Sequence, residues 1–103
     1  MAKQFGRYGS KYYRNLASSY DTEVKRFVRG YDNQINAIIH ALKARGAKRI
    51  LDVGQGTGYI DEKILREIPG SKIVCIDLVP EMVEVAKARL QGFGSNRVKV
   101  IQA

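Results

Sequence analysis

Gly54, Gly56 and Gly58 stand at two-residue steps between a short apolar run and a helical pattern, and Asp77 closes the next apolar run 23 residues after the first of them. Glycines in that setting let the chain turn tightly and bring backbone N–H groups and a helix N-terminus close to a ligand. A carboxylate at the tip of the neighbouring strand can accept both hydroxyl hydrogens of a ribose. Loop and acid together point to a nucleotide-like ligand held by main-chain amides on one side and by Asp77 on the other. Each feature alone has a plainer use, the glycines in a strand-to-helix turn and Asp77 as a cap for the helix after Pro80. The pair at this separation is the more specific signal.

The spacing also separates cofactor classes. A dinucleotide fingerprint wants Gly-x-Gly-x-x-Gly, which would place its third glycine at position 59, and that position is Tyr59. The pattern here is Gly-x-Gly-x-Gly, which disfavours a nicotinamide cofactor.

The elements that must position these residues follow from periodicity. Arg49-Ile50-Leu51-Asp52-Val53 and Lys72-Ile73-Val74-Cys75-Ile76-Asp77 read as buried strands, and Val98 and Val100 alternate with charged neighbours in a third. Ile60, Ile64, Leu65 and Ile68 form a helical stripe stopped by Pro69-Gly70, and Pro80 opens a helix with Val83, Ala86 and Leu90 inward. Lys87 and Arg89 of that helix are read as solvent-facing, as is His40. Upstream, Tyr13, Leu16, Ala17 and Tyr20 share one face of a short helix, and Asp21 caps a second helix whose stripe runs from Val24 through Ile35, Ile38, Ile39 and Leu42 to Gly46. Gly30 lies inside that stripe and marks a kink or a break.

Strands alternating with helices imply a parallel sheet with right-handed crossovers, hence strand order 3-2-1 and a ligand site at the carboxyl ends of the strands. The fold class is α/β, Rossmann-like, three-layered α/β/α, with helices before the sheet. At 103 residues the chain holds a single domain, a basic helical segment over residues 1–46 and a β-α-β-α-β core over residues 47–103.

Ile50-Leu51-Asp52-Val53-Gly54-Gln55-Gly56-Thr57-Gly58 resembles motif I of the class I methyltransferases that use S-adenosylmethionine. Ile76-Asp77 with Pro80-Glu81-Met82 resembles their second motif, and Leu16-Ala17-Ser18-Ser19-Tyr20-Asp21 resembles the segment that covers the cofactor in many small-molecule members. The resemblance implies S-adenosylmethionine as cofactor. Gly54, Gly56 and Gly58, with Gln55 and Thr57 between them, would line its methionine and ribose portion; Asp52 would sit near its amino group, Asp77 on its ribose, Leu78 and Met82 beside its adenine, and Tyr20 over it. Gln55 departs from the pattern, since the family mostly has a small residue there, and it would crowd the loop or add a hydrogen bond to the ligand. The family's sheet has seven strands, whereas this sequence stops at Gln102-Ala103, after the third. The substrate-side positions lie beyond that point, so no catalytic residue is nominated and unaided methyl transfer is left open.

A sheet cut there leaves the first strand's edge unpaired, and exposed apolar edges recruit other chains. The expectation is a homodimer that completes the sheet through Ile50, Leu51 and Val53. A second reading is a non-catalytic oligomeric or nucleic-acid-binding module that keeps the glycine loop. It rests on charge: of the net +8, residues 1–49 carry 11 Lys and Arg against 3 Asp and Glu, while residues 50–103 balance. Lys3, Arg7, Lys11, Arg14, Lys25, Arg26 and Arg29 interleave with Tyr8, Tyr12 and Tyr13, a mixture suited to phosphates and stacked bases, although the tyrosines serve equally as packing residues. No metal site is expected, the one cysteine reads as a buried thiol, and the sequence reads without a membrane span or secretory leader, so the expected location is the cytoplasm.

Overall fold

In the computed structural model, which describes residues 9–27 and 30–103, three aliphatic runs form the strands β1 (Arg49–Val53), β2 (Lys72–Asp77) and β3 (Val98–Gln102). They pair in parallel in the order β1-β2-β3, with Asp52 beside Cys75 and Asp77 beside Gln102. Parallel neighbours need long crossovers, and two helices supply them: α3 (Tyr59–Glu67) and α4 (Pro80–Leu90), the latter continuing into a short 3-10 turn. The strand order is the one expected. Two helices precede the sheet, α1 (Ser10–Phe27) and α2 (Tyr31–Ala44).

Their boundary differs from the expected one. Asp21 lies inside α1 and caps nothing, because Val24 continues the Tyr13, Ala17, Tyr20 stripe by one more turn. The break falls at Gly30, whose φ of 75° is left-handed and ends any right-handed helix. Val28 of the expected stripe and Arg29 of the basic set lie outside the described residues, as do residues 1–8.

The core forms on one face of the sheet. Ile73 and Cys75 are buried beneath Ile64, Leu65 and Ile68 of α3, Ala86 and Leu90 of α4 and Ile35 and Ile39 of α2, with Ile50, Val98 and Val100 packed against them. A second cluster joins Tyr13 and Ala17 of α1 to Val85 and Ala88 of α4. Helix α4 is therefore covered on two sides, and Val85 and Ala88 join the expected Val83, Ala86 and Leu90 in the interior. Removing a side chain of Leu90's size from water contributes about 1.5 to 3 kcal/mol.

The described residues thus build the sheet and one helical layer. On the opposite face Leu51 is 62% and Val53 72% exposed, so of the three β1 residues expected to be buried only Ile50 packs on the core, and the other two point away from every described helix. No helix among the described residues is long and apolar enough to cross a membrane.

Arg97 ties the bottom of this layer together. Its guanidinium donates to the Leu65, Ile68 and Ser71 carbonyls at 2.9, 3.4 and 3.0 Å and to the Ser71 hydroxyl at 3.1 Å. A cation on the last carbonyls of α3 is favoured by the helix dipole as well as by the bonds. Truncation by Arg97→Ala removes this donor from the Leu65 and Ser71 carbonyls and leaves the Ile68 carbonyl with the Ser71 amide alone; urea unfolding is expected to show a loss of about 2 kcal/mol, and an unchanged midpoint would contradict this role.

Candidate functional site at the carboxyl ends of the first two strands

The bend after Val53 is built from three left-handed glycines, with φ of 78° at Gly54, 59° at Gly56 and 79° at Gly58. At Gly58 a second constraint applies, since a Cβ there would meet the Leu90 and Ala86 side chains at 3.2 and 3.3 Å. Glycine at that position lets α3 start directly against α4.

Alternate amides of the loop are spent within the protein. Gly54 N–H donates to the Ile76 carbonyl at 2.6 Å, Gly56 N–H to Asp77 Oδ2 at 3.0 Å and Gly58 N–H to the Gln55 carbonyl at 3.2 Å. The amides of Gln55 and Thr57 make no hydrogen bond among the described residues. The loop therefore keeps two main-chain donors in reserve, close to the positive end of α3.

Asp77 ties the glycine loop to the segment that leads into α4. One oxygen holds the glycine loop through Gly56; the other accepts Val79 N–H at 2.9 Å, and Val79 is the residue that caps α4. A carboxylate has room for roughly four hydrogen bonds, so two remain for a ligand. Leu78, next to it, is 77% exposed, and Met82 is half-buried against the Tyr13 and Ala17 cluster. Tyr20 lies half-buried on α1 with its phenol against Glu81. The Gln55 side chain is buried, and its amide donates to the Gly56 carbonyl at 3.2 Å.

Beneath the loop lies an acidic interior. Asp52 points inward from β1 with Oδ2 buried and unpartnered, beside Asp61 on the first turn of α3 and Cys75 on β2. Asp61 is fully buried, and neither of its oxygens has a donor while both acids are charged. Burial, then a hydrogen bond with Asp52 and the charge of Asp52, push the Asp61 carboxyl up to about 8. Burial and the neighbouring Asp61 likewise push the Cys75 thiol up, so it stays protonated and inert. Asp61 was missed as an interior residue, yet its signal is present: Asp61, Ile64, Leu65 and Ile68 are spaced as one helical face.

Above the loop, α1 is fastened down. Thr57 Oγ1 donates to Asp21 Oδ1 at 2.9 Å, and Arg89 of α4 pairs with Asp21 Oδ2. The Arg89 guanidinium also reaches Glu62 at 3.9 Å and lies 5.4 Å from the centre of the Tyr59 ring. Its side chain is only 9% exposed, so the expectation of a solvent-facing arginine fails. With α4 covered on two sides, a single apolar stripe did not reveal which of its polar residues lay inside. His40 is exposed as expected, and no metal-binding cluster occurs among the described residues. Tyr13 is a core residue; Lys3, Arg7, Tyr8 and Arg29 lie outside the described residues.

A glycine loop at the end of β1, tied to an acid at the end of β2 in a parallel sheet, defines a nucleotide-cofactor half-fold. A family model described as a methyltransferase domain matches residues 50–103. Among curated relatives, the malonyl-[acyl-carrier protein] O-methyltransferase 1 of Ilyobacter polytropus is 40% identical over 77 residues, which cover 64% of this chain and 29% of that protein. The carboxy-S-adenosyl-L-methionine synthase of Aeromonas hydrophila is 35% identical over 85 residues, 78% of this chain and 34% of its own length. Among solved structures, a methyltransferase from Thiobacillus denitrificans in complex with S-adenosyl-L-homocysteine matches 69% of this chain and 29% of its own with a TM-score of 0.56 and 28% identity. An O-methyltransferase fold from Klebsiella pneumoniae matches 69% of this chain and 33% of its own, with a TM-score of 0.60 and 27% identity. The chain belongs to the class I S-adenosylmethionine-dependent methyltransferase family, and it spans about a third or less of the length of these relatives.

The buried acid sets a pH dependence. Asp61 ionises at about 3.8 when unfolded and about 8 when folded, so between those values the native chain binds the extra proton and stability falls as pH rises. The expected slope approaches about 1.4 kcal/mol per pH unit and flattens above pH 8. Unfolding measured from pH 5 to 9 checks it: Asp61→Asn is expected to remove the slope and to be the more stable protein at the alkaline end, and a variant that keeps the slope would show another group to be responsible.

Proposed function

We propose that this chain binds S-adenosylmethionine across the carboxyl ends of β1 and β2 and forms the cofactor-binding part of a methyltransferase whose acceptor is unidentified. The observation that supports the reading best is the pairing of two unspent loop amides, at Gln55 and Thr57, with a carboxylate that retains free acceptor sites at Asp77. In this reading Gly54, Gly56 and Gly58 let the ligand approach the backbone, and Asp77 takes the ribose hydroxyls. Exposed Leu78 and half-buried Met82 offer an apolar border to the adenine. Tyr20 and its helix close the site from above. Asp52, turned inward next to Asp61, acts on the loop from below and adds negative potential near a cationic ligand. Thr57 contributes its amide, since its hydroxyl hydrogen already goes to Asp21.

S-adenosylmethionine supplies a methyl group on a sulfonium, electrophilic enough that transfer depends mainly on alignment with the acceptor. In this reading the described residues hold and orient that group, and none of them is nominated as a base. Names carried by the relatives, acyl-carrier-protein carboxyl methylation among them, indicate the range of chemistry within the family without choosing an acceptor here.

Calorimetric titration with S-adenosylmethionine, S-adenosylhomocysteine and a nicotinamide dinucleotide tests the reading. The first two are expected to bind and the third not; Asp77→Ala should lose binding, and a folded Asp77→Ala chain with unaltered affinity would overturn the assignment.

Among the described residues one sheet face and the outer edge of β1 are uncovered, and we propose that a second copy pairing through Ile50, Leu51 and Val53 covers them. Sedimentation at micromolar concentration is expected to give a dimer that Val53→Lys dissociates; a monomer throughout would refute self-pairing.

A further inference from the structure

The hydrogen bond between Thr57 and Asp21 joins two segments 36 residues apart, the glycine loop and α1, and it is set up by a third, since Arg89 of α4 takes the other oxygen of Asp21. Every component is constrained. Arg89 is held between Asp21 and Glu62 with the Tyr59 ring 5.4 Å away, and Tyr59 in turn stacks on Tyr31 at 5.8 Å and donates to Asp32 at 3.2 Å. Arg89 and Asp21 side chains are 9% and 14% exposed, so the pair is poorly screened and Asp21 has little freedom to turn away from Thr57. Thr57 is also one of the two loop residues whose main-chain amide has no partner.

We infer that Arg89 is a positioning residue for the cofactor: acting through Asp21, it fixes the Thr57 hydroxyl and thereby aims the free Thr57 amide into the crevice while holding α1 over the loop. The inference rests on the cofactor reading proposed above and adds to it a device remote from the ligand. Among the described residues no hydrogen bond or ion pair joins Arg89 to the loop or to Asp77; its effect passes through one carboxylate and one hydroxyl. The arginine suits the task because a planar guanidinium can face two acids at once, Asp21 and Glu62, which a lysine's point charge cannot do in the same geometry. The arrangement also makes α1 part of the site. Tyr20, one residue before Asp21, is carried against Glu81 on the first turn of α4 by the same helix.

A structural ion pair would affect stability alone, whereas a positioning role makes two distant substitutions act on binding through the same hydroxyl. The measurement is the dissociation constant of S-adenosylhomocysteine by calorimetry, at a temperature where circular dichroism shows each chain folded, for wild type, Arg89→Leu, Thr57→Val, Thr57→Ser and the Arg89→Leu/Thr57→Val double variant. Arg89→Leu and Thr57→Val are each expected to weaken binding roughly tenfold, Thr57→Ser to recover most of the Thr57→Val loss, and the double variant to be little worse than either single one. Should Arg89→Leu fail to fold, the contrast between Thr57→Val and Thr57→Ser decides, since it alters only the hydroxyl and a methyl. Wild type that binds while folded Arg89→Leu or Thr57→Val binds equally well overturns the inference and leaves the cofactor reading standing. Wild type that binds neither S-adenosylhomocysteine nor S-adenosylmethionine overturns both.

Discussion

The carboxylate of Asp77 bridges two loops that belong to different crossovers. One oxygen takes the Gly56 amide at the end of β1 and the other takes the Val79 amide ahead of α4, and the Gly54 amide adds a third tie to the Ile76 carbonyl. These bonds make the β1–α3 and β2–α4 loops one edge of fixed width, and they decide which amides are spent and which face outward. A backbone that alternates left-handed glycines with ordinary residues sends successive N–H groups in different directions. Here the glycine amides turn to the protein and those of Gln55 and Thr57 do not. The acid that resembles a ribose ligand is thus first a structural clamp, and the two uses are compatible because a carboxylate accepts more bonds than the clamp requires.

Everything above that edge depends on α4. It must touch the sheet through Ala86 and Leu90, touch α1 through Val85 and Ala88, and leave space for the start of α3 at Gly58. Small residues on both faces allow that double contact at short range. Once α1 is laid across α4, the polar residues caught on the seam need partners, and Arg89, Asp21, Glu62 and Thr57 provide them for one another. The lid over the glycine loop is in this sense a consequence of packing α4 from two sides.

Legibility followed the same physics. The strands, their order, the glycine bend, Asp77 and the stops at Gly46 and Pro69-Gly70 were readable because each depends on local chemistry: aliphatic runs, backbone freedom, a ring that cannot continue a helix. The boundary between α1 and α2 was displaced because a 3.6-residue stripe does not register where one helix hands over to the next; Gly30 carried that information and Asp21, a good cap by type, pointed elsewhere. Arg89 and Asp21 were unreadable as a pair, since residues 68 positions apart meet only through tertiary packing. Asp61 stood on an apolar stripe in plain view, an acid where a core residue belongs. Leu51 and Val53 have buried-strand composition and lie on the side of the sheet that no described helix covers, so composition alone could not place them.

Local rules are broken mainly around the glycine loop. Of the six buried side-chain atoms that lack a hydrogen-bond partner among the described residues, Oδ2 of Asp52, Oε1 of Gln55 and both oxygens of Asp61 lie at or under the glycine loop, Nη1 of Arg89 lies in the clasp above it, and Oε2 of Glu84 is on α4. A stability-optimised core would place apolar atoms at Asp52 and Asp61, because a buried acid with no donor costs more than a methyl group of the same volume. Instead the loop is floored by two carboxyl groups, and the burial of Asp61 is tolerable only while it holds a proton. Negative potential directly below main-chain donors is an arrangement that opposes an anionic ligand and favours one with cationic character. A sulfonium bearing an ammonium group meets that electrostatic demand and a dinucleotide pyrophosphate does not. Under the proposed cofactor reading, the interior acid favours the sulfonium cofactor, the preference the glycine spacing also carries.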